Sequence, residues 1–535
     1  MKKSLKNIVI MLLALSVLLS VTACGETGEG KTKIKFFGWG SESEIRIFGE
    51  LIEMFEEKYP QYEVEQTSCD ADTYLQVLVS SSKRTFPDVF YIPDVNFVQM
   101  INGKDIMLDI TEYVNNSTVI NKSDMYEEGI NAYRFDRATK TLGEGSIYAL
   151  PKDLGPNVVC YNKTHVLSRG IKVVSDENGE TYPYGYGYYN GEKVLNDRIP
   201  MTWAQLLQFC IDCQTGTDTS SIAGMTHYPW EAAYIASGGR FLSDDYKQVT
   251  INNDKFAEAV QIAGDFFDYG AMPSTTQQAT QNYIQRFTSG LAAVSWIGAW
   301  NTPELWNVNF EWDILPCPVP NVSGIDEYDA ETCTSVRTEL MTEEARKDSK
   351  STYKLGSVGL AVYKESSCPE GAYLLTEFLT YNTDAQRHIW KSGQAVPNVK
   401  SMAEGEFMTE KINDPKGMNR PANRKVYLDM LENSNRRPEA YTYDTEWYTE
   451  ISGTANDSLK LKRIWARKKV NGKDVRGGKE IALWDWSKKS PEHPSGEQTY
   501  SENMLKNLCD RVQEVYLANF KGSDLKFKWN TTCKI

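Results

Sequence analysis

Residues 147–162 read IYALPKDLGPNVVCYN, and the fold turns on how this stretch is read. Ile147 to Leu150 is an alternating run that breaks at Pro151, and a second apolar run follows from Val158 to Tyr161. Proline removes a ladder donor, so it belongs at the end of a strand rather than in its middle. Gly155 and Pro156 interrupt the chain again before the second run. Two short strands with the polar Lys152-Asp153 between them fit a crossover from one sheet to another, the connection that a cleft between two lobes needs. An ordinary loop joining two strands of one sheet fits these residues as well.

On the amino-terminal side the chain alternates strands with helices. Ile34 to Phe37 is a short strand that runs into Gly38-Trp39-Gly40-Ser41-Glu42. Phe48, Leu51, Ile52, Phe55 and Tyr59 then recur at helical spacing and stop before Pro60. Tyr62 to Val64 begins the next strand. Strand, helix and strand of these lengths make a βαβ unit and imply a mainly parallel sheet. Ligands of open sheets meet the loops at the carboxyl ends of strands, a rule that nominates Trp39, Ser41 and Glu42. Trp39 also fits a packed loop anchor. Val89 to Ile92 is a further apolar strand, with Tyr91 and Asp94 at its carboxyl end. A ring beside a carboxylate suits a sugar: the ring covers the C–H face and the carboxylate accepts hydroxyl hydrogens. Asp94 equally fits a helix cap before Phe97.

On the carboxyl side, Tyr182 to Gly191 reads YPYGYGYYNG, and Asn190-Gly191 predicts a hairpin. Thr202 caps a helix with Leu206, Leu207 and Cys210 on one face. Trp230 precedes a short helix ending at Gly238-Gly239. Phe256, Val260, Ala263 and Phe267 mark another amphipathic helix. Leu291 to Trp296 is a buried strand, Gly298 allows a tight turn, and Trp300 stands just before a helix opened by Thr302-Pro303-Glu304. Trp312 to Pro320 is a strand running into prolines, and Val358 to Tyr363 is another. Leu459 to Lys479 is basic around an Asn471-Gly472 turn, the pattern of a solvated charged hairpin. A helix through Met504, Leu508 and Val515 closes the chain.

The order of these segments resembles the family 1 extracellular solute-binding proteins, the sugar receptors of ABC importers to which maltose-binding protein belongs. The resemblance rests on residues 147–162, on Tyr161-Asn162-Lys163, on Thr202-Trp203 and on Gly290 to Asn301, and it covers roughly four-fifths of the mature chain. It implies an α/β, two-lobed periplasmic-binding-protein-like fold of type II, each lobe a mainly parallel sheet flanked by helices, with three hinge crossings. Lobe 1 would comprise 33–151 and 318–395, and lobe 2 152–317 and 396–535, with an insertion at about 459–500. The resemblance also implies a carbohydrate ligand, permease subunits as partners, and a monomer. Trp300 matches the family's sugar platform, Tyr91 and Asp94 its first-lobe contacts, and Trp230 a cleft aromatic. Asp153 lies in the first crossing, where both lobes would meet the ligand.

Bulk properties narrow the alternatives. The chain has 535 residues, 41% hydrophobic and 24% charged, which suggests two or more domains. Residues 1–23 have a basic start and an apolar run from Ile8 to Val21, the pattern of a cleaved signal peptide. Val21-Thr22-Ala23-Cys24 resembles a bacterial lipobox, which implies lipid on Cys24 and attachment to the outer face of the cell membrane. Loss of Lys2, Lys3 and Lys6 with the leader takes the net charge from −14 to −17. Such a surface repels phosphate backbones, so nucleic acid is not an expected partner. Gly25 to Thr32, GETGEGKT, matches a phosphate-binding loop in letters only. A leader precedes it and a strand follows, so 24–32 reads as a tether. Ten cysteines include a C-x-x-C at Cys210 and Cys213, with neither a second pair nor a nearby histidine to complete a zinc site. No metal, cofactor or catalytic residue is expected. A glycan-cleaving enzyme is the competing class, because paired carboxylates can lie far apart in sequence. A sensor that presents bound ligand to a kinase is another.

Overall fold

A computed structural model describes residues 30–216, 220–227, 230–241, 243, 248–251, 259, 266, 270–273, 275–320, 328–329, 334–335, 355–433, 467–470, 473–476 and 526–527. Strand β1 (Thr32–Trp39) alternates Lys33 and Lys35 outward with Ile34 and Phe36 inward. Helix α1 (Glu42–Lys58) follows, capped by Ser41 and burying Ile47, Phe48, Leu51, Ile52 and Phe55. It ends where the Tyr59 N–H closes on Phe55 O, one residue before Pro60. Strands β2 (Tyr62–Cys69) and β3 (Val89–Pro93) both run parallel to β1, completing the expected βαβ unit. Helix α2 (Asp94–Gly103) leaves directly from β3.

The decisive stretch is one strand, not two. β4 (Ala149–Asn162) is continuous for 14 residues and carries Pro151, Gly155 and Pro156 inside it. Its first half pairs with the late strand Leu355–Val362 and its second half with the strands Ala292–Gly298 and Trp312–Leu315. The expected break at Pro151 is instead a β-bulge. Asp153 faces Val358 and Pro151 faces Gly359, so Lys152 is the extra residue with no opposite number. A bulge tolerates the missing proline N–H and bends the strand. The buried Asn398 amide covers the local carbonyls, donating to Pro151 O at 2.7 Å and Lys152 O at 3.2 Å.

Beyond the bulge, β5 (Tyr186–Tyr189) and β6 (Glu192–Asn196) form the hairpin predicted at Asn190-Gly191, both residues taking positive φ. Helix α3 (Trp203–Cys213) has a full capping box, Thr202 with Gln205. β7 (Ala223–Met225) lies parallel to β8 (Ala292–Gly298), which is followed by the short helix α4 (Thr302–Leu305) and by β9 (Trp312–Leu315). β10 (Leu355–Val362) inserts antiparallel between β3 and β4. These strands join in one eight-stranded sheet, ordered β7-β8-β4-β10-β3-β1-β2 with β9 also on β4. It is mixed rather than mainly parallel: parallel at β1–β3 and β7–β8, antiparallel where the chain returns. Helices α5 (Pro369–Tyr381) and α6 (Thr383–Lys391) pack beside the first core. Strands β11 (Arg467–Val470) and β12 (Lys473–Arg476) pair antiparallel on either side of Asn471-Gly472. The helices expected at Phe256–Phe267 and Met504–Val515 lie outside the described residues, apart from single positions.

Two hydrophobic cores result. The first joins β1–β3 and α1 with Leu150, Leu360 to Tyr363 and Ala395, and the second joins Leu154, Val158 to Tyr161, β8, β9 and Val396. The chain thus passes between them within four residues at the bulge, and again between neighbours Ala395 and Val396.

Candidate functional site

The bulge organises the site. Neighbours in a regular strand point to opposite faces, but an extra residue re-aims one of them. Lys152 Nζ accordingly lies 2.7 Å from Asp153 Oδ2 and 2.6 Å from Glu44 Oε1 of α1. All three side chains are buried. The ammonium also sits 5.2 Å from the Tyr91 ring centroid and 5.3 Å from that of Phe48. Burial alone would push this lysine down. Asp153 and Glu44 oppose that, and the ammonium is held well above its usual range. Ser357 Oγ donates to Asp153 O at 2.8 Å and so fixes the strand from β10.

Aromatic rings border the triad on the side of the first core. Trp39, half-buried at the end of β1, stands edge-on to Tyr91 at 5.0 Å and to Tyr74 at 4.6 Å. Tyr91 itself is 2% exposed. Gly38 leaves its ring room, since a Cβ there would come within 2.8 Å. Tyr91 thus backs Trp39 and roofs Lys152. Ser41 Oγ accepts from Glu44 N at 3.3 Å and bonds Ser43 Oγ, which occupies it as the cap of α1. Glu42 is exposed in the first turn. Asp94 opens α2 half-buried, and its Oδ1 accepts from Val95 N at 2.8 Å.

Trp300 supplies the opposite wall. It is half-buried after β8, and its six-membered ring lies against two glycines. A Cβ on Gly298 would stand 2.1 Å from Cζ3, and one on Gly155 2.8 Å from the same atom. Only residues without a side chain let the ring settle on the backbone of β4 and β8 in this way. Tyr283 hydrogen-bonds the Asn301 and Trp300 side chains, and burial raises its hydroxyl. The His227 ring lies 5.1 Å from Tyr283, and burial pushes its imidazole down to about 4. Glu304 of α4 completes this side. Burial, then the Glu44 carboxylate, raise its pKa.

Trp39, Tyr91 and Asp153 are therefore brought together around Lys152, and Trp300 lies against Gly155, two residues after Asp153. Ser41 caps its own helix, Asp94 bonds the N–H of its neighbour Val95, and Glu42 is exposed. Trp230 opens a helix at Trp230–Ala236, but its side chain lies outside the described residues, as does Cys24. Sequence reading missed Glu44, Lys152, Gly155, Tyr283 and Glu304. Ser41-x-x-Glu44 has the letters of a capping box, yet Glu44 is drawn to Lys152 instead. Cys210 and Cys213 are buried free thiols, which burial raises. Among the described residues no His, Cys, Asp and Glu group could hold a metal. The arrangement offers a ring face, fixed carboxylate acceptors and a hinge-like strand between two cores.

Comparisons give this geometry a lineage. A family model described as bacterial extracellular solute-binding protein matches residues 50–418. No curated protein sequence matches the chain. Among solved structures, the chain is similar to the ABC substrate-binding protein Lmo0181 from Listeria monocytogenes, determined with cycloalternan. The TM-score is 0.63 at 16% identity, over 91% of this chain and 99% of that one. The GacH receptor of Streptomyces glaucescens, determined unliganded and with acarbose, gives 0.60 at 14% identity, over 92% and 100%. Maltose-bound MalE3 of T. maritima gives 0.60 at 16%, over 90% and 100%. At these identities the likeness is one of fold.

Proposed function

The chain belongs to the bacterial extracellular solute-binding proteins, and on that premise we propose that it captures a carbohydrate, most simply an oligosaccharide, between two lobes and delivers it to the permease of an ABC importer. The observation that carries the proposal is Trp300 laid on Gly155 and Gly298, with Lys152 and Asp153 in the same strand as Gly155 and Glu44 reaching them from α1. A ring covers the C–H face of a sugar, and charged acceptors bond its hydroxyls at roughly 1.5–3 kcal/mol each. Lobe 1 then comprises 33–151 and 318–395, and lobe 2 152–317 and 396–535, with the β11–β12 hairpin in an insertion at about 459–500. Cys24 carries the lipid that keeps the receptor at the outer face of the membrane, and residues 24–32 are its tether. The receptor works as a monomer without cofactor or catalysis.

A thermal-shift screen of the purified protein against mono- and oligosaccharides tests this, because a ligand bound only by the native state raises apparent stability. We expect a rise with at least one oligosaccharide, and a smaller radius of gyration by X-ray scattering in its presence, since contacts on both lobes favour closure. Release of shortened sugars during incubation would assign the protein to glycan cleavage instead. No shift with any saccharide would remove the carbohydrate reading.

A further inference from the structure

The hinge triad places a condition on the ligand. Lys152 Nζ is bonded to Glu44 and Asp153 at 2.6 and 2.7 Å, and aromatic rings of Tyr91 and Phe48 lie within 5.3 Å of it. Its donors are engaged inside the protein, so it has little to offer an incoming anion. Each carboxylate, by contrast, has about four lone-pair sites and gives only part of them to Lys152. Two carboxylates against one ammonium leave one negative charge unbalanced. Glu304 of α4 is a further acidic group, its carboxyl raised by burial and then by Glu44.

The geometry points to Lys152 as a positioning and specificity-determining residue: it aims Glu44 and Asp153 as acceptors without cancelling their charge, so the site takes a saccharide bearing only hydroxyl or amine groups and rejects one bearing carboxylate or phosphate. This inference rests on the carbohydrate reading given above. The bulge is what makes it possible, because in a regular strand Lys152 and Asp153 would point to opposite faces. A hydroxyl or ammonium that reaches Glu44 and Asp153 bonds the lone pairs Lys152 leaves open. An acidic sugar adds a third negative charge at short range in a partly dry cleft.

Titration calorimetry with maltotriose, cellotriose, the glucosamine trimer, and the two neutral trisaccharides oxidised at C6 to uronic acids tests it. We expect at least one of the first three to bind, and its oxidised counterpart, or for the glucosamine trimer oxidised cellotriose, to bind at least about tenfold more weakly. Glu304→Gln should narrow that ratio. Lys152→Met should weaken binding and introduce a dependence on pH between 5 and 8, because a carboxylate pair stripped of its cation takes up a proton. The groups around it that titrate or carry charge are Glu44, Asp153, Tyr91 and Glu304. A merely structural lysine would lower stability without creating that pH profile. Should Lys152→Met not fold, Glu44→Gln with Lys152→Met removes one charge of each sign, and it should bind the neutral sugar less tightly than the parent. Oxidised sugars binding as well as their parents would overturn the inference and leave the carbohydrate reading standing. Binding of none of the five would take away the carbohydrate reading and this inference with it.

Discussion

Replacing Asp313 by asparagine should stabilise the protein at pH 8 more than at pH 5. Asp313 lies within β9, opposite Tyr161, and is 4% exposed. Its Oδ1 accepts from Asn423 N and from its neighbour Ile314 N, both at 2.9 Å. Burial raises its carboxyl from the ordinary 3.8 to about 6, the two N–H bonds and Arg198 pulling down and Asp197 pushing up. The native state therefore holds this proton more tightly than the unfolded chain. Its contribution is fully present below about pH 4 and is lost as pH rises through 6. At pH 8 the charged form costs about 3 kcal/mol, and at pH 5 about half of that. Asparagine keeps the oxygen that accepts both N–H groups and removes the charge. Urea unfolding followed by tryptophan fluorescence, run on both proteins at the two pH values, reads the difference. The gap between variant and parent should be larger at pH 8 by about 1.4 kcal/mol. Parallel pH curves for the two proteins would refute the argument.

Other predictions concern the cleft and the anchor. Trp300→Ala should weaken binding of the sugar found by thermal shift more than tenfold, at about 1.4 kcal/mol per tenfold, and unchanged affinity would put Trp300 outside the site. Gly155→Ala places a Cβ 2.8 Å from Trp300 Cζ3, so the ring must retreat by roughly half an ångström or more to regain ordinary contact distance. Affinity should drop severalfold while the melting temperature barely moves, and titration beside calorimetric melting would show whether the two separate. Cys24→Ala should move the protein from the membrane pellet to the soluble fraction, whereas a variant that still pellets like the parent would end the lipid-anchor reading.

Much of the architecture was written in local patterns. The spacing of Phe48, Leu51, Ile52 and Phe55 marked α1, Thr202 marked the start of α3, and Asn190-Gly191 marked the β5–β6 hairpin, because each signal is carried by residues a few positions apart. Residues 147–162 were read as two strands crossing between sheets, whereas one strand in one sheet passes between two cores. A proline inside a strand reads as a break, and only the partner strand from 355–362 shows that the ladder resumes around an extra residue. Of the candidate site, the sequence nominated the aromatic rings and passed over most of the charges. Trp39, Tyr91 and Trp300 announce themselves by residue type near strand ends. Glu44 and Lys152 are 108 positions apart and their attraction leaves no periodicity. Gly155 looked like punctuation, although its missing side chain is what seats Trp300.

The place of β10 also governs how the protein comes into being. Strands β1 to β3 are complete once Pro93 has been synthesised, yet the strand that lies between β3 and β4 begins only at Leu355. About 260 residues separate the two, which at roughly 5–20 residues per second is on the order of 13–50 s of translation. Throughout that interval the open flank of β3 has no permanent neighbour, and its N–H and C=O groups are free to pair with whatever approaches. The first core therefore cannot be sealed from its own amino-terminal third. A nascent chain kept incomplete for this long carries an open sheet edge until its last central strand arrives.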